Sequence, residues 1–427
     1  MTHAARRWAI AAAALVALLA AAWLALVAIV PSDEQLARRL EAEFEERMGQ
    51  KLVVGSVRWR VMGLPMIELL DASTLQQPEA IRVRRVAIYP ELMPLLQKRL
   101  VISRLLVEGA LVPRNALAAY RGKAQGGEGA VLVRAVEFTD STYIAYNGIP
   151  VVYEGEIRFD NDRLPQRLAL RRPDARPPAS LEATRDGTTD TGAHLYRLRL
   201  QAAGGSAQGQ ARLTQSAKGR MALVGELAPR GVDLQALLDT FHRRSPIGGL
   251  ASGETQLQAE GNTATELFRS LHSRSVLTVE RASILRFNLD QAIKSLGEDR
   301  AGETPLDSLS GVMDTQNTEH GLKTVFTDVK AVAGHYAATG QATLYRGQID
   351  AQGELEIGGG IVDVPFSAHG PTGQPTFNLA WGAVAGAAVG TAVLPGIGTV
   401  IGAKIGGAVS EPPRPDKGEA PPQRPRR

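Results

Sequence analysis

In residues 52–61, LVVGSVRWRV, apolar and polar side chains alternate. Val53, Val57, Trp59 and Val61 fall on one parity; Ser56, Arg58 and Arg60 fall on the other. The period of two returns in VVYEGEIRF, where Val151, Tyr153, Ile157 and Phe159 oppose Glu154, Glu156 and Arg158. It returns again in YRLRLQ, with Tyr196, Leu198 and Leu200 against Arg197, Arg199 and Gln201. Further short runs carry Leu223 (MALVGEL), Leu257 (TQLQAE), Leu277 and Val279 (VLTVE), and Leu355 and Ile357 (ELEI). Each is bounded by Gly, Pro, Asn or Asp, so the pattern predicts a long series of half-buried antiparallel strands.

Helical periodicity is rarer. Leu36, Leu40, Phe44 and Met48 recur every four residues and Gly49 ends the run, which predicts an amphipathic helix over 33–48 with Ser32 and Gln35 as a capping box. Brief helices are expected near 234–241, 264–271 and 289–295. A sheet apolar on one side must cover that side. A sandwich or barrel does so with a second sheet. A long curved sheet instead lines a groove with it, open to lipid chains. Alternation alone leaves both open.

The two ends differ from this body. Residues 8–30 are uncharged and rich in Ala, Leu and Val, long enough for a helix to cross a bilayer. Arg6 and Arg7 precede them and Asp33 and Glu34 follow, so the expected topology is a single anchor with the N-terminus cytoplasmic and the body exported. No A-x-A cleavage site follows. Near the other end, Gly382, Gly386 and Gly390 share one helical face, as do Gly398, Gly402 and Gly406, with Pro395-Gly396 between them. Such spacing lets apolar helices approach closely in lipid, and the preferred expectation is a helical hairpin dipping into a membrane. A single kinked span and a soluble pair capping the open end of a groove are the rivals. GIGTVIGAK lacks both the G-x-G-x-x-G and the P-loop spacing. Beyond residue 410 the Pro- and Arg-rich tail is expected to be disordered.

Composition removes other classes. A net charge of +4, with both signs interspersed, gives no basic stripe for nucleic acid. Cysteine is absent, so no thiolate metal site or disulfide framework exists. The seven histidines are scattered, with no H-E-x-x-H, and no G-x-S-x-G elbow is present. No catalytic, cofactor-binding or metal-ligating residue is assigned, and a non-enzymatic protein without cofactor is expected.

Three stretches resemble the AsmA family. One is GQKLVVGSVRWRVMGLPMIELLDAS with the following RVRRVAIYPELMPLLQKRLVISRLLVEGALVPR. The second is GVDLQALLDTF with GLASGETQLQAEGNTATELFRSLHSRSVLTVERASILRFNLDQAI. The third runs from SLSGVMDTQNTEHGLKTVF to VPFSAHGPTGQPTFN. The sequence departs from the family pattern at Arg286-Phe287 and at Glu319-His320-Gly321, and residues 115–230 resemble nothing in particular. The resemblance implies an inner-membrane-anchored protein with a periplasmic body, in a bacterium with two membranes. Its strands would form an elongated, taco-like antiparallel sheet around a hydrophobic groove lined by the apolar parity named above. It also implies phospholipid transport and outer-membrane biogenesis, with the inner membrane, phospholipid, and the outer membrane or one of its proteins as partners. A structural or assembly factor for outer-membrane proteins, with a closed β core, is the alternative. The expected division is an anchor at 1–31, an AsmA-like N-terminal region at 32–114 and a central β region at 115–230. An AsmA-like C-terminal module at 231–378, the glycine-rich hairpin at 379–410 and the tail at 411–427 complete it.

Overall fold

The computed structural model describes residues 33–380 and 382, apart from 61–64, 77–78, 92, 95–99, 115, 117–131, 145–147, 218, 296–297, 319, 360–361 and 373–374. The expected anchor at 8–30, the glycine-rich segment beyond Gly382 and the tail lie outside these residues. So do Val61, Gly386, Gly390, Gly398, Gly402 and Gly406. Among the described residues, no helix is long and apolar enough to cross a membrane. The chain is mainly β, with few helices and open, curved sheet. It divides into two compact units.

The first unit holds the described residues up to Asp174, with Ser180–Arg185 and Asn262–Glu266. Helix α1 (Asp33–Met48) leads into β1 (Leu52–Arg60), β2 (Met66–Thr74), β3 (Arg82–Pro90) and β4 (Val101–Pro113), an antiparallel meander. The next strands are the two-residue β5 (Leu132–Val133), β6 (Ala135–Ile144), β7 (Pro150–Phe159) and β8 (Pro165–Arg172), and β9 (Ala179–Thr188) follows. Here the expectation of an all-antiparallel sheet is corrected: β4 pairs with β5 and β6 in parallel. A parallel neighbour requires a long crossover rather than a hairpin turn, and residues 114–131 supply that length. β6–β7 and β7–β8 return to antiparallel pairing. At the β1 edge, Glu41 of α1 accepts the Val54 backbone N–H at 3.0 Å, occupying an edge donor that would otherwise be unpaired.

Strand pairing in the second unit is antiparallel among the described residues. Its strands are β10 (His194–Ala202), β11 (Gly205–Gln215), β12 (Met221–Arg230), β13 (Val232–Asp233) and β14 (Ile247–Gly261), then β15 (His272–Ile284) and β16 (Thr304–Pro305). It continues with β17 (Ser308–Thr318), β18 (Gly321–Ala333), β19 (Tyr336–Tyr345), β20 (Gln348–Ile357), β21 (Val362–Pro371) and β22 (Thr376–Leu379). Each long strand pairs with the next, while β13 and β16 pair with the ends of β14 and β15. Three short helices interrupt the series where expected: α2 (Leu234–Asp239), α3 (Ala264–Ser270) and α4 (Leu289–Lys294). The Asp233 carboxylate accepts the N–H groups of Gln235 and Ala236, and the Asn288 side chain accepts that of Gln291. These caps satisfy donors that a helix start leaves open.

Glycines mark where adjacent backbones of this sheet come closest. A Cβ on Gly209 would lie 1.9 Å from the Glu226 carbonyl oxygen, and one on Gly253 would lie 2.0 Å from that of Val276. Only a residue without a side chain lets adjacent backbones fold this closely onto the inner side. Gly187, by contrast, has nothing within 4 Å of its Cβ direction. Gly209→Val should therefore lower unfolding stability by about 1–3 kcal/mol, as overpacking does. Gly187→Val should change it little, with denaturant titration of the two variants as the check.

Candidate functional site

Ladder register places most of the larger apolar residues of the first unit on one face, with Met66, Leu70, Ala87 and Leu106 on the other. One row runs Trp59, Ile67, Ile88, Leu105, Val136, Ile157 and Leu168, through seven strands without a polar residue. The adjacent row runs Val57, Leu69, Val86, Val107, Phe138, Gly155 and Leu170. A Cβ on Gly155 would lie 2.7 Å from the Phe138 ring, so that ring lies across the glycine. Val57 and Leu69 are buried and most of the rest are half-buried. The Trp59 indole N–H, buried, has no acceptor among the described residues.

The next inward row is Val54, Ala72, Val83 and Ala110, three residues rather than two from the row above. Ser141 and Tyr153 continue it across the bulge between β6 and β7. Between the two rows run Asp71, Gly109 and Asp140, all with positive φ. Asp tolerates this conformation better than most residues, and glycine adopts it freely. The whole seam switches the inward parity by one residue. Val53 is consequently 43% exposed and not a partner of Val57, which corrects the assignment made from strict alternation. Phe159 keeps the parity of Ile157 and is half-buried, since the extra residue at the register shift is Gln166 on β8; it also borders a charged cleft with Arg104, Arg134 and Asp160. Trp59, Val151, Tyr153 and Ile157 keep the inward parity. Tyr153 sits beneath Arg172, whose guanidinium carbon is 5.8 Å from the ring centroid, and burial pushes its phenol pKa up.

The outer side of this unit is charged and internally compensated. Arg85 bridges Glu68 at 2.6 Å and Glu108 at 2.9 Å; these two hydrogen bonds raise its pKa. In the cleft, Arg104 pairs with Glu137, Arg134 with Glu91, and Arg158 with Glu156. Cations matched in this way keep a strand surface in water. Among the described residues no group of His, Asp or Glu could hold a metal ion.

The second unit repeats the division on a longer ladder. Its inward row through β10 to β22 reads Leu198, Gly209, Leu227, Thr255, Ser275, Met313 and Phe326, then Ala342, Ala351, Ala368 and Phe377. Tyr196, Leu200, Leu223, Leu257, Leu277 and Val279 lie on the same face, as alternation predicts. The facing-out row reads Arg197, Gln210, Glu226, Gln256, Arg274 and Asp314. In β18 an extra residue at Asp328 (φ 51°) carries the inward parity from Phe326 to Val329. Without it, Val329 and Ala331 would turn outward.

Over β10–β18 the larger side chains of this face, such as Leu198, Leu227, Leu257 and Leu277, are only half-buried, and at one end the face is closed. Helix α4 packs Leu289 and Ile293 onto Tyr336, Leu355, Val362, Val364 and Leu379, with Phe287 against Phe377 at 5.5 Å between centroids. Leu355 is 5% exposed and Val364 0%. Leu355 and Ile357, assigned from sequence to the groove wall, therefore belong to a packed core beneath α4. The helix is held by Tyr336, which donates to Asp290 at 3.3 Å, and by Thr304, which accepts the Leu289 N–H at 2.8 Å. The ammonium of Lys294, at 2.5 Å, holds the Asp290 carboxyl below the usual carboxylate range. Gly382, the one glycine of the expected hairpin among the described residues, is half-buried.

Comparison with protein-family models, curated proteins and solved structures finds no match to this chain.

The core and the wall should respond differently to truncation. Leu355→Ala should cost about 2–5 kcal/mol of unfolding free energy, the usual range for a filled core. Leu257→Ala, on the half-buried stretch, should cost less than half as much. Because the Asp290 shift is downward, its contribution is complete above the unfolded carboxylate pKa and lost as pH falls through the lower folded value. Hydrogen-exchange protection of α4 should thus hold from pH 8 to about 5 and fall only below about 4.

Proposed function

We propose that this chain holds the acyl chains of phospholipid on its inward apolar faces and supports lipid movement between the membranes of a two-membrane bacterium. The reading places it as an AsmA-like protein, anchored in the inner membrane by residues 8–30, with its body in the periplasm and no enzymatic activity. The observation that carries it is the unbroken apolar row from Trp59 to Leu168, half-buried across seven strands while the outer side bears ion pairs. The same one-sidedness recurs on the half-buried stretch of the second unit.

Physical chemistry favours hydrocarbon as the occupant. Each methylene leaving water gains about 0.8 kcal/mol and needs no hydrogen bond from the wall. A row of Val, Ile and Leu is sufficient, and no single side chain is essential. Loss of one lining residue should therefore be tolerated, whereas a buried carboxylate in the path should exclude acyl chains.

Lipid mass spectrometry on the full chain, purified without added lipid, tests this. Near-stoichiometric phospholipid is expected with the native protein, falling at least fivefold in a folded Leu198→Asp/Leu257→Asp variant. A folded native protein that carries no phospholipid would remove the reading.

A further inference from the structure

The inward face of the second unit is not uniformly apolar. At its centre, on β14, β15, β17 and β18, lie five hydroxyls in two adjacent rows: Thr255 beside Ser275, and Ser273 beside Thr315 and Thr324. Leu227 and Phe326 extend the first row, Leu257 and Leu344 the second. Thr255 and Ser275 are hydrogen-bonded to each other at 2.9 Å, and Ser273 is bonded to Thr315. Ser275 is only 2% exposed. A hydroxyl pair contains two O–H groups, and the bond between them uses one. No carbonyl or carboxylate accepts the other in either pair, so at least one O–H per pair remains uncommitted among the described residues. Thr324, half-buried, adds a fifth hydroxyl with no partner there.

In an empty groove the half-buried Thr255, Ser273, Thr315 and Thr324 reach water, whereas Ser275 is covered by its neighbours. Filling it with hydrocarbon would strip that water and leave buried donors unpaired, which is unfavourable. Resting on the reading above, we infer that the occupant aligned with β14–β18 carries hydrogen-bond acceptors within its apolar body. It is an ester-linked diacyl lipid whose ester carbonyls accept from the Thr255–Ser275 and Ser273–Thr315 pairs. The leucines and Phe326 on either side take the acyl chains. The patch thus sets where a lipid pauses on the wall. It also separates ester lipids from ether lipids or free hydrocarbon.

The test is competition between a dioleoyl ester phospholipid and its dialkyl ether counterpart with the same headgroup. Both are offered to the full chain in detergent and read by native mass spectrometry. The native protein should prefer the ester by roughly three- to tenfold, the worth of one or two hydrogen bonds. The Thr255→Val/Ser275→Ala/Ser273→Ala/Thr315→Val variant removes donors and acceptors together. It should bind both lipids with the preference gone. Equal binding of ester and ether by the native protein would overturn the inference, leaving the hydroxyls as cross-strand pairs only and the lipid reading intact. A preference that survives in the variant would overturn it too. Binding of neither lipid would instead defeat the lipid reading on which it rests.

Discussion

Everything in this protein depends on register. In a β-ladder a slip of one residue sends a whole strand's apolar side chains to the other face. Here the ladder keeps them on one side through seven strands in the first unit and eleven in the second. Where the parity must change, the change is built in. Asp71, Gly109 and Asp140 take left-handed backbone along one seam, and Asp328 does so within β18. Each absorbs the odd residue that alternation cannot accommodate. In the first unit the wall stays apolar because the seam runs in step across neighbouring strands, not because every strand alternates perfectly.

Close approach of neighbouring backbones is the second requirement, and small residues on the inner side allow it. Gly209, Gly253 and Gly353 present backbone alone, with neighbouring carbonyl oxygens inside the space a Cβ would take. Alanines at 207, 211, 338, 342, 351 and 368 add little more. A wall made of small residues can bend inward without crowding, while Arg, Gln and Glu spread over the outer side. At one end that wall becomes an ordinary core, with α4 and three phenylalanines closing over β19–β22.

Much of this was legible in the chain. The short helices at 234, 264 and 289 were expected where they occur, and Tyr196, Leu198, Leu223, Leu257 and Leu277 fell on the inward face by alternation alone. Three things were not legible. Val53 turned outward because the parity switch beside it is carried by Asp71 on the neighbouring strand. Leu355 and Ile357 show the right face, but what covers them arrives from Leu289, more than sixty residues earlier in the chain. The parallel pairing of β4 with β6 left no turn signature, since its only mark is the length of 114–131. A lone Asp inside a strand run was the signal available for the seam.

The central claim is that one face, and not hydrophobicity in general, meets lipid. Leu277 and Val276 separate the two, being adjacent and both apolar; Leu277 lies on the inward parity and half-buried, Val276 58% exposed on the outward one. A photo-crosslinking residue at each position in turn, in cells fed labelled phospholipid, makes the comparison. The account predicts a lipid adduct at 277 and none at 276. Equal labelling at both, or labelling at 276 alone, would contradict it.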